Sequence, residues 1–169
     1  MFTPEEIHNP GQFPSQKRFL TFDKTGLMNL LPHSGEALVI DLVYLDLLEK
    51  DAIGFLHVGG PNCHLLHGHF GIMPGHWLFE FANLTCAALG LSLLGAERKT
   101  RGDEKKPTVL LTGADGIRNH RKAVPGDEIR CNASFLRQDR REIFFSAEIY
   151  NAATKKKICS IKEISGTAL

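Results

Sequence analysis

Hydrophobic and polar residues alternate with a period of two in the second half of the chain. Between residues 128 and 136 the apolar positions are Ile129, Cys131, Ala133 and Phe135. Residues 142–150 repeat the pattern with Ile143, Phe145, Ala147 and Ile149. Successive side chains of a strand point to opposite faces of a sheet, so both segments are predicted to be strands with one buried face.

A long apolar segment, residues 77–94, precedes these strands and shows no such alternation. It follows Pro74 and Gly75, and proline suits the first turn of a helix because its missing N–H would be unpaired there. We therefore predict a helix over residues 74–94, buried on all sides. Glu80 is its one ordinarily charged residue, and a buried carboxylate needs a partner or a raised pKa. Glu80 is thus the first candidate functional residue.

The rest of the chain supplies shorter elements. Further strands are predicted over residues 37–47, 52–58, 108–112 and 157–164, and a charged loop over residues 97–106. Residues 1–30 are expected to form an N-terminal arm with a short helix near residues 21–31, and residues 31–169 the single domain. Two strands, a buried helix and four strands with short connections indicate an α+β fold with an antiparallel sheet. A second copy of the chain could cover what the sheet leaves exposed.

Composition narrows the function classes. The chain has 169 residues, of which 43% are hydrophobic, and a net charge of +1, so charge does not favour nucleic acid or an anionic membrane as a partner. The apolar segment is long enough for a membrane span, but Glu80, Asn83 and Ser92 within it argue against one. Four cysteines without paired spacing and an N-terminal stretch without a signal-peptide core predict free thiols and a cytoplasmic location.

Four segments of the chain resemble one family. They are LLPHSGEALVIDLV at residues 30–43, GHF at 68–70, MPGHWLFEFA at 73–82 and GADGIRNHRKAVPGDEIR at 113–130. Together they are similar to the hot-dog-fold β-hydroxyacyl-acyl-carrier-protein dehydratases. The resemblance implies a long central helix wrapped by a curved antiparallel sheet, and a homodimer or trimer of dimers with active sites at the dimer interface. It also implies dehydration of a (3R)-hydroxyacyl thioester to a trans-2-enoyl thioester.

The resemblance also implies the catalytic pair. Carried over by motif, the histidine of GHF is His69 and the acidic residue after MPG is Glu80. The stretch from GHF to MPG is three residues shorter than the usual family pattern, so His67 is kept as an alternative base. Leu84 stands where the family commonly has a glutamine four residues after the acid.

Dehydration requires a base for the C2 proton, an acid for the departing hydroxyl and donors for charge on the thioester oxygen. A histidine suits the first task because its ordinary pKa leaves it mostly neutral at pH 7. Glu80 suits the second if its surroundings favour the protonated acid. The backbone N–H groups of Gly75 and His76, at the start of the helix, suit the third. This chemistry requires no metal or organic cofactor.

Two further groups of residues invite other interpretations. Cys63, His64, His67, His69 and His76 are zinc-ligand types, but their spacing matches no common zinc site, so no metal is expected. Arg118, Arg121 and Lys122 form a basic patch, which either docks an acidic acyl carrier protein or only protects a strand edge.

The predicted function is therefore a lyase acting on a 3-hydroxyacyl chain carried by acyl carrier protein or, as a second choice, coenzyme A. Two alternatives stay open. A hot-dog thioesterase would hydrolyse the same thioester, and a non-catalytic acyl-binding subunit would bind acyl chains without turnover.

Overall fold

Seven strands and two helices make up the part of the chain that the computed structural model describes, residues 19–33, 37–59, 71–102 and 106–169. In chain order they are β1 (Phe19–Asp23), α1 (Lys24–Leu30), β2 (Leu42–Asp46), β3 (Asp51–His57), α2 (Gly75–Thr100), β4 (Val109–Asn119), β5 (Glu128–Asp139), β6 (Glu142–Asn151) and β7 (Lys157–Ala168).

The strands form one sheet in the order β1-β2-β3-β5-β6-β7-β4, and every neighbouring pair is antiparallel. The strands predicted over residues 37–47 and 52–58 correspond to β2 and β3, which pair with each other. Strand β2 is shorter than the predicted residues 37–47: it begins at Leu42 and ends at Asp46. Residues 38–40 are fully buried, so their apolar character reflects packing in the core and not strand pairing.

The alternating pattern of β5 and β6 is confirmed. Ile129, Cys131, Ile143, Phe145 and Ile149 are at most 1% exposed, and the residues between them face the other side of the sheet. This buried face packs against α2. Because the apolar positions of each strand point towards the same helix, the core is a single layer between helix and sheet.

The central helix is longer than predicted. It runs from Gly75 to Thr100, so residues 97–100, predicted as the start of a charged loop, form its last turn. Arg98 and Lys99 lie in that turn, where positive charge is favourable at the negative end of the helix dipole. The helix has the length and composition to cross a membrane, but 67% of its most apolar window is buried inside the protein, as in a core helix.

Strand β4 is also longer than the predicted residues 108–112. It continues through Gly113 and Gly116 to Asn119, with a register shift between Leu111 and Gly113. Glycine and aspartate disfavour strands by local propensity, but pairing with β7 outweighs that preference here. Since β4 is the last strand of the sheet, its other edge has no pairing strand among the described residues.

The predicted arm contains regular structure where it is described. β1 pairs with β2, and α1 begins after Asp23, whose carboxylate accepts a hydrogen bond from the N–H of Gly26 at 2.8 Å. Residues 19–23 thus form an edge strand of the sheet, and residues 24–30 form the short helix α1 that follows it. Residues 1–18 lie outside the described residues, and the division into an arm of residues 1–30 and a domain of residues 31–169 stays a prediction.

Candidate active site

The first turn of α2 forms one end of the candidate site. Pro74 is the N-cap residue, and its carbonyl accepts hydrogen bonds from the N–H groups of Trp77 and Leu78. The first N–H groups of a helix have no acceptor within the helix, so that of Gly75 is available to an oxygen outside it. The imidazole of His76 is exposed and lies 5.3 Å from the ring of Trp77, centroid to centroid.

Asn119, the last residue of β4, lies against this helix start. A Cβ atom at Gly75 would come within 2.9 Å of the Asn119 side-chain nitrogen. Glycine therefore leaves room for the Asn119 carboxamide beside the first turn of the helix. The sequence analysis did not select Asn119, because only the pairing of β4 with β7 brings the strand end to this place.

Glu80 lies one turn further along α2. Its side chain is 30% exposed, so it is half-buried and not enclosed in the core as its apolar neighbours suggested. Its carboxylate oxygen Oε1 lies 3.8 Å from Nε2 of His33. His33 follows Pro32 in the segment between α1 and β2, far from Glu80 in the sequence. The carboxylate of Glu80 thus lies within ion-pair distance of a histidine that was not among the predicted site residues.

Both residues line a cavity of about 170 Å³ between α2 and the start of β4. Its polar side chains are His33, Glu80 and Asn83. Its other lining residues are Pro32, Leu84, Ala87, Val109, Leu110 and Leu111. A cavity with polar groups on one part of its wall and apolar groups elsewhere suits an acyl chain with an oxygen-bearing head.

The two candidate bases, His67 and His69, lie outside the described residues. Their distances to Glu80 and the choice between them therefore stay predictions. Cys63 and His64 lie there as well, which leaves His76 as the one described member of the possible zinc group. Among the described residues, no three histidine, cysteine or acidic side chains are close enough together to hold a metal ion.

The three described cysteines are buried and unpaired. Burial raises the pKa of Cys131 to about 12 and that of Cys159 to about 11, and it raises the pKa of Cys86 well above its ordinary value. Thiolate is the reactive form of cysteine, so burial keeps these side chains inert. None of the three lines the cavity at Glu80.

The basic patch lies beside the start of α2. Arg118 precedes Asn119 at the end of β4, and Arg121 and Lys122 follow in the loop towards β5. All three side chains are exposed. The contact between Asn119 and Gly75 places this patch next to the candidate site.

The comparison with known proteins shows the family. The chain is 30% identical over 150 residues to the 3-hydroxyacyl-[acyl-carrier-protein] dehydratase FabZ of Idiomarina loihiensis, and the match covers 85% of this chain and 95% of that protein. This chain belongs to the hot-dog dehydratase family. The FabZ dehydratase of Bartonella bacilliformis is also 30% identical, over 72% of this chain and 76% of its own length. No protein-family profile matches the chain.

Solved structures show that the predicted fold is correct. The dehydratase heterocomplex ApeI:P of Xenorhabdus doucetiae superposes with a TM-score of 0.67 at 18% identity, covering 85% of this chain and 90% of that chain. A hypothetical thioesterase with coenzyme A from Streptococcus pneumoniae gives 0.55 at 13% identity, covering 72% and 80%. At these identities the likeness concerns the hot-dog fold alone, a long central helix on an antiparallel sheet.

Proposed function

We propose that this protein removes water from a (3R)-hydroxyacyl thioester on acyl carrier protein and releases the trans-2-enoyl thioester. One observation carries the proposal. Glu80 projects from the second turn of α2 into a cavity whose remaining wall is mostly apolar, in a chain 30% identical to a FabZ dehydratase over 85% of its length.

In this proposal Glu80 is the acid. A base removes the proton from C2, the C3–O bond breaks, and Glu80 transfers its proton to the oxygen that leaves as water. His69 is the proposed base, with His67 as the alternative. The N–H groups of Gly75 and His76 hold the charge that develops on the thioester oxygen. The reaction is balanced without an external oxidant or reductant.

The apolar part of the cavity suggests where the acyl chain binds. It is lined by Leu84 and Ala87 of α2 and by Val109 and Leu111 of β4. Burying a methylene group in such a wall stabilises a complex by about 0.8 kcal/mol. The acyl chain would therefore contribute much of the binding energy.

The basic patch is the proposed docking surface for the acidic carrier, from which the acyl chain would reach the nearby start of α2. Charge reversal at Arg121 and Lys122 should weaken carrier-linked turnover and leave turnover of the coenzyme A thioester unchanged. The matched control reverses Arg140 and Arg141, exposed residues in the turn between β5 and β6 at the other end of the sheet. Equal carrier affinity in the two double variants would contradict the proposed docking surface.

We also propose that two copies assemble through β4. Leu110 and Ile117 are 57% and 48% exposed on this strand, and the strand's outer edge has no pairing strand among the described residues. Exposed strand edges with apolar side chains favour pairing with another chain. Sedimentation over a range of protein concentrations should show a dimer or a multiple of it, and a monomer at all concentrations would contradict this assembly.

The decisive experiment follows the ultraviolet absorbance of the conjugated product, and the product masses, for 3-hydroxyacyl-carrier substrates of several chain lengths. Glu80→Gln should lower kcat by about 10²- to 10⁴-fold, the usual effect of a general acid. Glu97→Gln is the matched control, because Glu97 lies on the same helix and pairs with Arg101 at the surface. His69→Ala and His67→Ala identify the base.

Each result has a distinct meaning. Full activity of Glu80→Gln would refute the assigned acid. Release of free thiol without an enoyl product would indicate the thioesterase alternative. Binding of acyl chains without turnover would indicate a non-catalytic acyl-binding subunit.

A further inference from the structure

A second cavity, of about 240 Å³, is lined by the C-terminal half of α2 and by strands β5 and β6. Its wall is mostly apolar, with the residues Gly90, Leu93, Leu94, Phe135, Ile143 and Phe145. It shares no lining residue with the cavity at Glu80, and the proposed reaction does not use it. An apolar cavity of this kind suits the hydrocarbon part of a ligand.

The polar residues of the second cavity leave one positive charge there. They are Lys50, Glu97 and Gln138. The carboxylate of Glu97 accepts a hydrogen bond from Arg101 and forms an ion pair with it, so its negative charge is compensated. Among the described residues, no carboxylate lies within ion-pair distance of Lys50. The cavity therefore offers an uncompensated ammonium group beside an apolar wall.

Contacts with Phe135 hold Lys50 at the cavity. The carbonyl of Lys50 accepts a hydrogen bond from the N–H of Phe135 at 3.0 Å, and Nζ of Lys50 lies 4.9 Å from the centroid of the Phe135 ring. An aromatic ring attracts a cation over its face. Lys50 is exposed, so its ammonium group lies where the cavity meets the solvent. The neighbouring acidic residues, Glu49 and Asp51, do not line the cavity.

We propose that this second cavity binds a fatty acid anion, with the alkyl chain against the apolar wall and the carboxylate at Lys50. A carboxylate carries one charge and matches the single ammonium group, whereas a phosphate group brings about two negative charges. Gln138 offers a further donor, because its amide has two N–H groups and only one is used by the carbonyl of Arg140. The inference does not depend on the proposed function.

The two parts of the ligand should contribute in different ways. Charge-assisted hydrogen bonds are stronger than neutral ones, so a fatty acid should bind more tightly than the alcohol of the same chain length. Added salt should weaken binding of the acid and leave binding of the alcohol unchanged, because salt screens exposed charges. Affinity for both should rise about two- to fourfold with each methylene group until the cavity is filled.

The test is titration calorimetry with saturated fatty acids and alcohols of increasing chain length, each below the concentration at which it forms micelles. Lys50→Met removes the charge and keeps the apolar stem, and Lys50→Arg keeps the charge. Leu93→Gln places a polar group of similar volume in the wall. Lys155→Met is the matched control, because Lys155 is an exposed lysine of another hairpin turn with nearly the same φ, 59° against 58°, and does not line the cavity.

We expect Lys50→Met to weaken binding of the fatty acid about 5- to 20-fold and binding of the alcohol less than about twofold. Lys50→Arg and Lys155→Met should bind the acid as wild type does. Leu93→Gln should weaken acid and alcohol alike, by about 3- to 10-fold, because it removes apolar contact with the chain. A photoreactive fatty acid should label residues 90–97 and 135–145, as peptide mass spectrometry would show.

Three results would overturn the inference. The first is unchanged affinity of Lys50→Met for the acid, or an equal loss for acid and alcohol. The second is labelling confined to residues 80–87 and 109–111, which would place the chain in the cavity at Glu80. The third is an absence of saturable binding at any chain length. Each would leave the proposed function standing, since dehydration is measured separately and does not use the second cavity.

Discussion

Strand β3 approaches the central helix, which carries Glu80, closely at Gly54. A Cβ atom at position 54 would lie 2.3 Å from Oγ1 of Thr85, and 3.2 Å from both Cγ2 of Thr85 and Cδ1 of Ile40. Thr85 is fully buried and donates its hydroxyl hydrogen to the carbonyl of Phe81 at 2.9 Å. Gly54→Ala therefore forces the helix or the strand to move.

The expected loss follows from two opposing effects. Overpacking a well-packed core costs about 1–3 kcal/mol. Replacing glycine by alanine reduces the freedom of the unfolded chain and returns about 0.4–1 kcal/mol. We therefore expect Gly54→Ala to lower the free energy of unfolding by about 1–2 kcal/mol, which for a chain of this size lowers the thermal midpoint by about 2–8 °C.

Removing the opposing side chain should rescue the variant. Thr85→Ala deletes both Thr85 atoms that the new methyl group would meet, so Gly54→Ala and Thr85→Ala together should cost about 1–2 kcal/mol less than the sum of the single changes. Thr85→Ser is the control, because it keeps Oγ1 and with it the closest contact.

The assay is urea unfolding of all variants at one protomer concentration, since association would change the apparent stability. Additive single and double changes would refute the steric argument. A Gly54→Ala protein within about 0.5 kcal/mol of wild type would refute it as well.

Three other predictions concern the site, the thiols and the sheet surface. Gly75→Ala should lower kcat/KM on the order of 10- to 100-fold, because the new methyl group would crowd the helix start where the thioester oxygen is proposed to bind. The thermal midpoint should barely change, because the methyl group would meet only the exposed Asn119 side chain, which can move aside. An unchanged kcat/KM would contradict the proposed position of the thioester. Native protein at pH 8 should leave Cys131, whose pKa is about 12, unmodified by alkylating reagents until denaturant is added, as mass spectrometry would show. Hydrogen bonds to the Glu148 carboxylate, first from Lys157 and then from Tyr150, hold its pKa below the ordinary value of 4.5. Its contribution to stability is therefore complete above that value and is lost as the pH falls through the lowered folded-state pKa. Glu148→Gln should reduce the loss of unfolding free energy at acid pH, and an unchanged acid dependence would contradict this.

Local patterns predicted secondary structure correctly where the buried positions recur with the period of the strand or helix. The alternation around Ile129 and Phe145 predicted β5 and β6, because a strand half buried in a core must place apolar residues at every second position. The continuous apolar run predicted the buried centre of α2 for the same reason. Its end at Thr100 was missed, since charged residues suit a solvated loop and the last turn of a helix equally.

Motifs located the candidate acid but not its surroundings. Glu80 was identifiable because a lone carboxylate in an apolar helix requires an explanation, and the dehydratase-like motifs gave one. His33 and Asn119 lie within two of the family-like segments, residues 30–43 and 113–130, but those motifs do not show which of their residues meet Glu80 or Gly75. Both residues reach the site only because the segment before β2 lies beside α2, and because β4 pairs with β7 along its length.

The sequence by itself therefore determined the family and the order of the main elements, and it supplied Glu80 as the candidate acid. These depend on periodicity and on short motifs, both of which are written in neighbouring positions. The tertiary structure alone decided the length of β4, the contact of His33 with Glu80 and the cavity that both residues line. These features depend on pairing and packing between segments far apart in the sequence. Such contacts outweigh local propensity, and local sequence patterns do not show them.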